Sequence, residues 1–231
     1  MASTRWTLVR LAGAEDSPEA RAALEELCRG YWTALYAYAR QLGHQDADAR
    51  DLTQAFFARF LERGYIRAAD PERGRFRTFL RTCFKHFTQT EWERARAARR
   101  GGKLRVLSWD ELPQPGIPEP TAGESPERAY DRVWALRCFA QAIERLAKEQ
   151  DAGGRSRDYA VLRRFLSQSG DAATYEAAGN ELGCSGNAVA IAVSRLRRRL
   201  RELVRDEVAQ TVLRPEDIDG ELRYLRDLLA G

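Results

Sequence analysis

Apolar residues recur along this chain at steps of three and four, the period of one helix face. Leu24, Leu27, Tyr31, Leu35, Tyr38 and Leu42 form the first such stripe. Ser17-Pro18-Glu19 precedes it with an N-cap, a proline for the first turn and an acid for the dipole, and Gly43 ends it. A second helix is predicted from near Asp46, carrying Leu52, Phe56, Phe57, Phe60 and Leu61 before Gly64. The loop 64–75 holds Gly64, Pro71 and Gly74. A third, long helix carries Phe76, Phe79, Leu80, Cys83, Phe84 and Phe87, turns strongly basic through Arg94, Arg96, Arg99 and Arg100, and stops at Gly101-Gly102.

Residues 101–125 break the pattern with Pro113, Pro115, Pro118 and Pro120, and read as a linker. Ser125-Pro126-Glu127 repeats the helix-start chemistry, and Trp134, Cys138, Phe139, Ala142, Ile143 and Leu146 follow. Asp151 to Gly154 interrupts that helix; the next carries Tyr159, Leu162, Phe165 and Leu166 up to Gly170. Two more are predicted over 172–182 and 186–204. No useful segment alternates with period two. The expectation is an all-α fold: helical domains over 1–100 and 126–205, a Pro/Gly-rich linker over 101–125, and an amphipathic helical extension over 206–231.

Charge sharpens this outline. The net charge of +4 resolves into +5 for residues 1–100, −2 for 101–130, +5 for 131–205 and −4 for 206–231. Two basic modules on an acidic tether suggest two contacts with one nucleic acid; two solvated domains with chance charge are the bland alternative. Of the 38 basic residues 35 are arginine, whose planar fork suits phosphate and guanine edges, although a GC-rich genome would write the same bias.

Cys28, Cys83, Cys138 and Cys184 are dispersed and form no CxxC pair, so they read as reduced, mostly buried thiols of a cytoplasmic protein. His44 and His86 have no metal-ligand spacing, so no metal is expected. The N-terminus lacks signal-peptide regions, and no apolar run nears the roughly 18 residues of a membrane span. No phosphate-binding glycine loop, Ser-His-Asp arrangement or fixed carboxylate pair is present, so neither enzymatic activity nor a cofactor is expected.

The most informative stretch runs from Tyr175 to Arg201. A short helix ends at Leu182-Gly183, Gly183 can take the positive φ of a helix C-terminus, and Ser185 can cap the next helix. Val189, Val193, Leu196 and Leu200 give that helix an inward stripe, leaving Gly186, Asn187, Ala190, Ser194, Arg195 and Arg198 outward. This is the pattern of a helix-turn-helix whose second helix enters a major groove. The basic run through Arg201 would cost stability unless something neutralised it.

Three motifs resemble sigma factors of the sigma-70 family, in family order. Tyr175 to Ser185, followed by Arg195 to Arg201, resembles the promoter-reading region 4. Asp51-Leu52-Thr53-Gln54-Ala55-Phe56-Phe57 resembles the D-L-x-Q-x-x-F signature of region 2, and Arg75 to Leu80 resembles the segment that opens the −10 element. Without a region 3 domain, the resemblance is to the small extracytoplasmic-function class. Gly179 departs from it by standing where many relatives have alanine, which should loosen the first helix of the motif.

The resemblance implies core RNA polymerase (the β′ clamp helices and the β flap) and promoter DNA as partners. It places polymerase contacts at Asp48, Asp51, Gln54 and Arg59. It places Arg67, Arg73 and Arg75 beside a flipped base; the residues themselves point to Trp92, Arg94, Arg96, Arg99 and Arg100, and to Ser185, Asn187, Ser194, Arg195 and Arg198, as the other DNA contacts. A free-standing helix-turn-helix regulator is the alternative; it would have no need of the region 2 helix. The acidic tail, with Pro215-Glu216-Asp217 ahead of Ile218, Leu222, Leu225 and Leu229, must bury its stripe. Either it extends the region 4 core, or it folds on a basic functional surface and restrains the protein in place of an anti-sigma partner.

Overall fold

The structure is a computed structural model that describes residues 5–14, 17–98, 121–168, 170–212 and 214–230. All regular structure among them is helical. In chain order the helices are α1 (Arg5–Ala12), α2 (Pro18–Gln41), α3 (Asp46–Glu62), α4 (Phe76–Ala98), α5 (Pro126–Ala152), α6 (Ser156–Leu162), α7 (Ala172–Leu182), α8 (Gly186–Ala209) and α9 (Ile218–Ala230), with short 3-10 turns between some of them. They form two compact units, Met1–Leu136 with Ala209–Gly231, and Arg137–Val208.

In the first unit α2 begins as its sequence dictates, with the Ser17 hydroxyl accepting from Ala20 N at 3.1 Å. Tyr31, Leu35 and Tyr38 are buried, whereas Leu42 caps the helix end and is exposed. Their aromatic neighbours close the core: Phe56 meets Phe84 edge-on at 5.0 Å, and Tyr31 meets Phe76 at 5.4 Å. Such pairs contribute about 0.5–1.5 kcal/mol each beyond their area. Helix α1, too short to show a stripe in the sequence, packs on α2 with Trp6 and Val9 buried.

The N-terminal part of α5 also belongs to this unit, with Ala129, Tyr130, Val133 and Trp134 buried. Ion pairs anchor it: Lys85 reaches Glu127 at 3.3 Å and Arg81 reaches Asp131 at 3.0 Å. The expected linker is described only over 121–125, and that piece is held, since Gln41 Nε2 donates to the carbonyls of Thr121 and Glu124. Residues 101–120 lie outside the described residues.

The second unit packs the C-terminal part of α5 with α6, α7 and α8. Its core joins Ala142 and Leu146 to Tyr159, Leu162, Phe165 and Ala178, and to Val189, Val193, Leu196, Leu200 and Leu203 of α8. The division between units thus falls inside α5, ten residues beyond its start at Pro126. The final helix α9 joins the N-terminal unit, burying Leu225 and Leu228, so the reading in which it extends the region 4 core does not hold.

Candidate functional site

In the second unit α7 and α8 follow one another across a short turn, the order expected for the helix-turn-helix. Asp171 caps α7 by accepting from Thr174 N at 2.8 Å, and Gly183 ends it at φ +73°. Ser185 Oγ accepts from Ala188 N at 3.2 Å and starts α8. Glu176 reaches from α7 to accept from Gly186 N, which puts an anion at the positive end of α8. Gly186, expected to face outward, is therefore buried.

Gly179 does not loosen the motif. A Cβ at that position would stand 2.5 Å from the carbonyl oxygen of Cys184 and 3.1 Å from Gly186 N. Cys184 N donates back to Gly179 O at 2.9 Å. The turn closes directly over the glycine, so the missing side chain is a packing requirement. Cys184 itself is exposed, unlike the buried Cys28 and Cys138, with Cys83 between these extremes. Burial pushes the Cys28 thiol up to about 12, which leaves it protonated and inert.

The outer face of α8 presents Asn187, Ala188, Ile191, Ser194, Arg195 and Arg198, all exposed. Ile191, at 48% exposure, stands between Asn187 and Ser194 in the middle of that face. Ile191 is not among the polar residues expected on that face; an apolar side chain there could contact a thymine methyl. Arg195 and Arg198 make no ion pair among the described residues. The arginine run is not uniformly free, however. Arg197 donates to the carbonyls of Phe165 and Gln168 at 2.6 and 2.7 Å, and Arg199 pairs with Glu149 and Glu202 at 2.8 Å each.

In the first unit, Asp48 and Asp51 are exposed along α3, and Gln54 is half-buried. Arg59 is turned inward and pairs with Glu91 of α4 at 3.3 Å. Beyond α3, the loop arginines Arg67 and Arg73 are exposed, and Arg73 pairs with Asp70 at 3.4 Å. Beside this loop an open apolar groove is lined by Phe56, Phe60, Tyr65, Phe79 and Phe87. Trp92, 59% exposed, projects from the far part of α4. The side chains of Arg94 and Arg96, and Arg99 and Arg100 altogether, lie outside the described residues.

Arg75 and Arg77 are engaged rather than open. Arg75 pairs with Glu221 of α9 at 2.6 Å, and Arg77 pairs with the same carboxylate at 2.8 Å. The Arg77 guanidinium lies 4.6 Å from the Trp134 ring centre and 5.4 Å from that of Tyr224. Tyr224 donates to Asp131 at 2.6 Å, and Arg81 meets the same Asp131 oxygen. Arg77 lies inside the Arg75 to Leu80 motif, but nothing in the sequence singled out Asp131, Glu221 or Tyr224 as its neighbours. The available signal was Arg77 and Arg81 at i, i+4 facing an acidic tail.

Among the described residues no three His, Cys, Asp or Glu side chains could jointly hold a metal ion, and no helix is long and apolar enough to cross a membrane.

Residues 27–98, which include α3 and α4, match the family model for sigma-70 region 2. The N-terminal unit therefore contains a sigma-70 region 2 domain. The helix-turn-helix lies beyond the matched residues. No curated protein and no solved structure matches the chain.

Proposed function

We propose that this protein is a sigma factor of the small extracytoplasmic-function type, which binds core RNA polymerase through α3 and directs it to promoters. The observation that carries the reading is the region 2 match over residues 27–98, in a chain that also holds a helix-turn-helix in a separate unit.

Asp48, Asp51 and Gln54 form the polymerase-facing patch on α3; Arg59 supports it by bracing α3 to α4. The groove beside the 64–75 loop and the exposed Trp92 suit unpaired bases of an opened −10 element, because base–aromatic stacking tolerates any base. On α8, Asn187, Ile191 and Ser194 read duplex edges, and Arg195 and Arg198 hold phosphates. Ser185 serves first as the α8 cap. Chemistry is left to the polymerase, and the protein works inside the cell with no membrane contact.

Size-exclusion of the chain mixed with core polymerase tests this. The wild type co-elutes with core, and a variant carrying both Asp51→Arg and Gln54→Arg runs free with unchanged helical content. Co-elution by that variant would overturn the assignment of the α3 surface. Operator binding by a chain that never joins core would instead favour a free-standing regulator.

A further inference from the structure

Helix α9 returns the far end of the chain to the start of α4 and seats one carboxylate in the arginine cluster there. Glu221 is fully buried between Arg75 and Arg77, and Arg77 is 3% exposed. Around it, among the described residues, Arg75, Arg77 and Arg81 pair with two carboxylates, Glu221 and Asp131. With α9 lifted away, three guanidinium groups would face Asp131 alone. Such a cluster calls for an anion, and its planar forks match the geometry of a phosphate.

The occupant is weakly suited to permanent burial. Desolvation raises the Glu221 carboxyl above the usual glutamate range, outweighing Arg77 and Arg75, so the buried charge is incompletely compensated. Besides Glu221 only Leu225 and Leu228 of α9 are buried. The segment carrying it, 206–231, bears a net charge of −4, of the sign that nucleic acid also presents.

We propose that the Arg75–Arg77–Arg81 cluster is a phosphate site for single-stranded promoter DNA and that α9 occupies it as an intramolecular substitute, Glu221 standing where a phosphate binds. DNA entry then requires α9 to leave, and α9 restrains the free protein. This rests on the sigma-factor reading for the identity of the DNA, but not for the competition itself.

The test uses the full chain and a fluorescein-labelled single-stranded 20-mer of mixed sequence, with hydrogen exchange over residues 218–230 reporting whether α9 is docked. Glu221→Gln keeps the shape and removes the charge; paired Leu225→Asp and Leu228→Asp changes undock the helix without touching an arginine. Both should expose the α9 amides and tighten oligonucleotide binding about tenfold, and adding Arg75→Ala should abolish the gain. Because coupling is reciprocal, saturating oligonucleotide should speed α9 exchange in the unmodified chain. Undocking without tighter binding overturns the proposal, as does unfolding of the N-terminal unit in both variants, which would make α9 a structural member. Co-elution with core polymerase is scored separately on the same proteins. Its failure sinks the sigma reading and leaves the competition to stand or fall on the oligonucleotide data.

Discussion

Replacing Gly179 by alanine sets two physical effects against each other. Intrinsic propensity favours the change: glycine inside a helix costs about 1 kcal/mol relative to alanine. Packing opposes it. The new Cβ would sit 2.5 Å from Cys184 O and 3.1 Å from both Gly186 N and the Ser185 carbonyl carbon. All three are backbone atoms of the turn, so no side chain can swing aside. Overpacking costs roughly 1–3 kcal/mol, and a rigid backbone neighbour puts this case at about 3 kcal/mol. The net expectation is destabilisation of the helix-turn-helix unit by about 2 kcal/mol. In a domain of this size that lowers the unfolding temperature by roughly 8–16 °C. Hydrogen exchange of the α8 amides near Leu200 isolates this unit from the other, and calorimetry gives the shift. Duplex binding should weaken in parallel, because the turn sets how α8 is presented. An alanine variant as stable as the parent, or more so, would refute the reasoning and restore the view that Gly179 is merely a flexible residue.

Arg197→Ala should destabilise the same unit by about 1–3 kcal/mol, read by urea denaturation, because it leaves the carbonyls of Phe165 and Gln168 without their donor. Arg198→Ala should leave stability within about 0.5 kcal/mol and reduce the salt slope of duplex binding by about one, as a lost phosphate contact does. Ile191→Ser should alter the preferred sequence in a binding-site selection while leaving that slope unchanged. Asp171 is held below the usual aspartate range, chiefly by the Thr174 amide, so its capping contribution is full above that range and lost as pH falls through the lowered value. Acidification below pH ~4 should therefore loosen α7 amides, and Asp171→Asn should remove the pH dependence while keeping the cap.

Helix positions were legible wherever a stripe met a cap: Ser17 before α2, Gly183 and Ser185 around the turn; α3 starts at Asp46 without a side-chain cap. The all-helical fold followed from those signals. The division between units was not legible, because one unbroken stripe on α5 serves both cores, with Tyr130 and Trp134 in one and Ala142 and Leu146 in the other. Buried charge was the second blind spot. Arg77 and Glu221 are separated by 144 positions and read as surface residues in any local window; only the returning chain makes them partners. Within the candidate interface, polarity on a helix face marked Asn187, Arg195 and Arg198. It passed over Ile191, and it could not distinguish Arg198, left outward, from Arg197, spent on two carbonyls of its own unit.

On the proposed function, this chain gives core RNA polymerase its promoter choice. Run-off transcription with purified core polymerase and a library of genomic fragments measures this most directly. Discrete transcripts should appear whose start sites share upstream and −10 elements, present only when the chain is added and lost with the Asp51→Arg, Gln54→Arg variant. Transcripts unchanged by addition of the chain, from a core preparation that responds to another sigma factor, would contradict it.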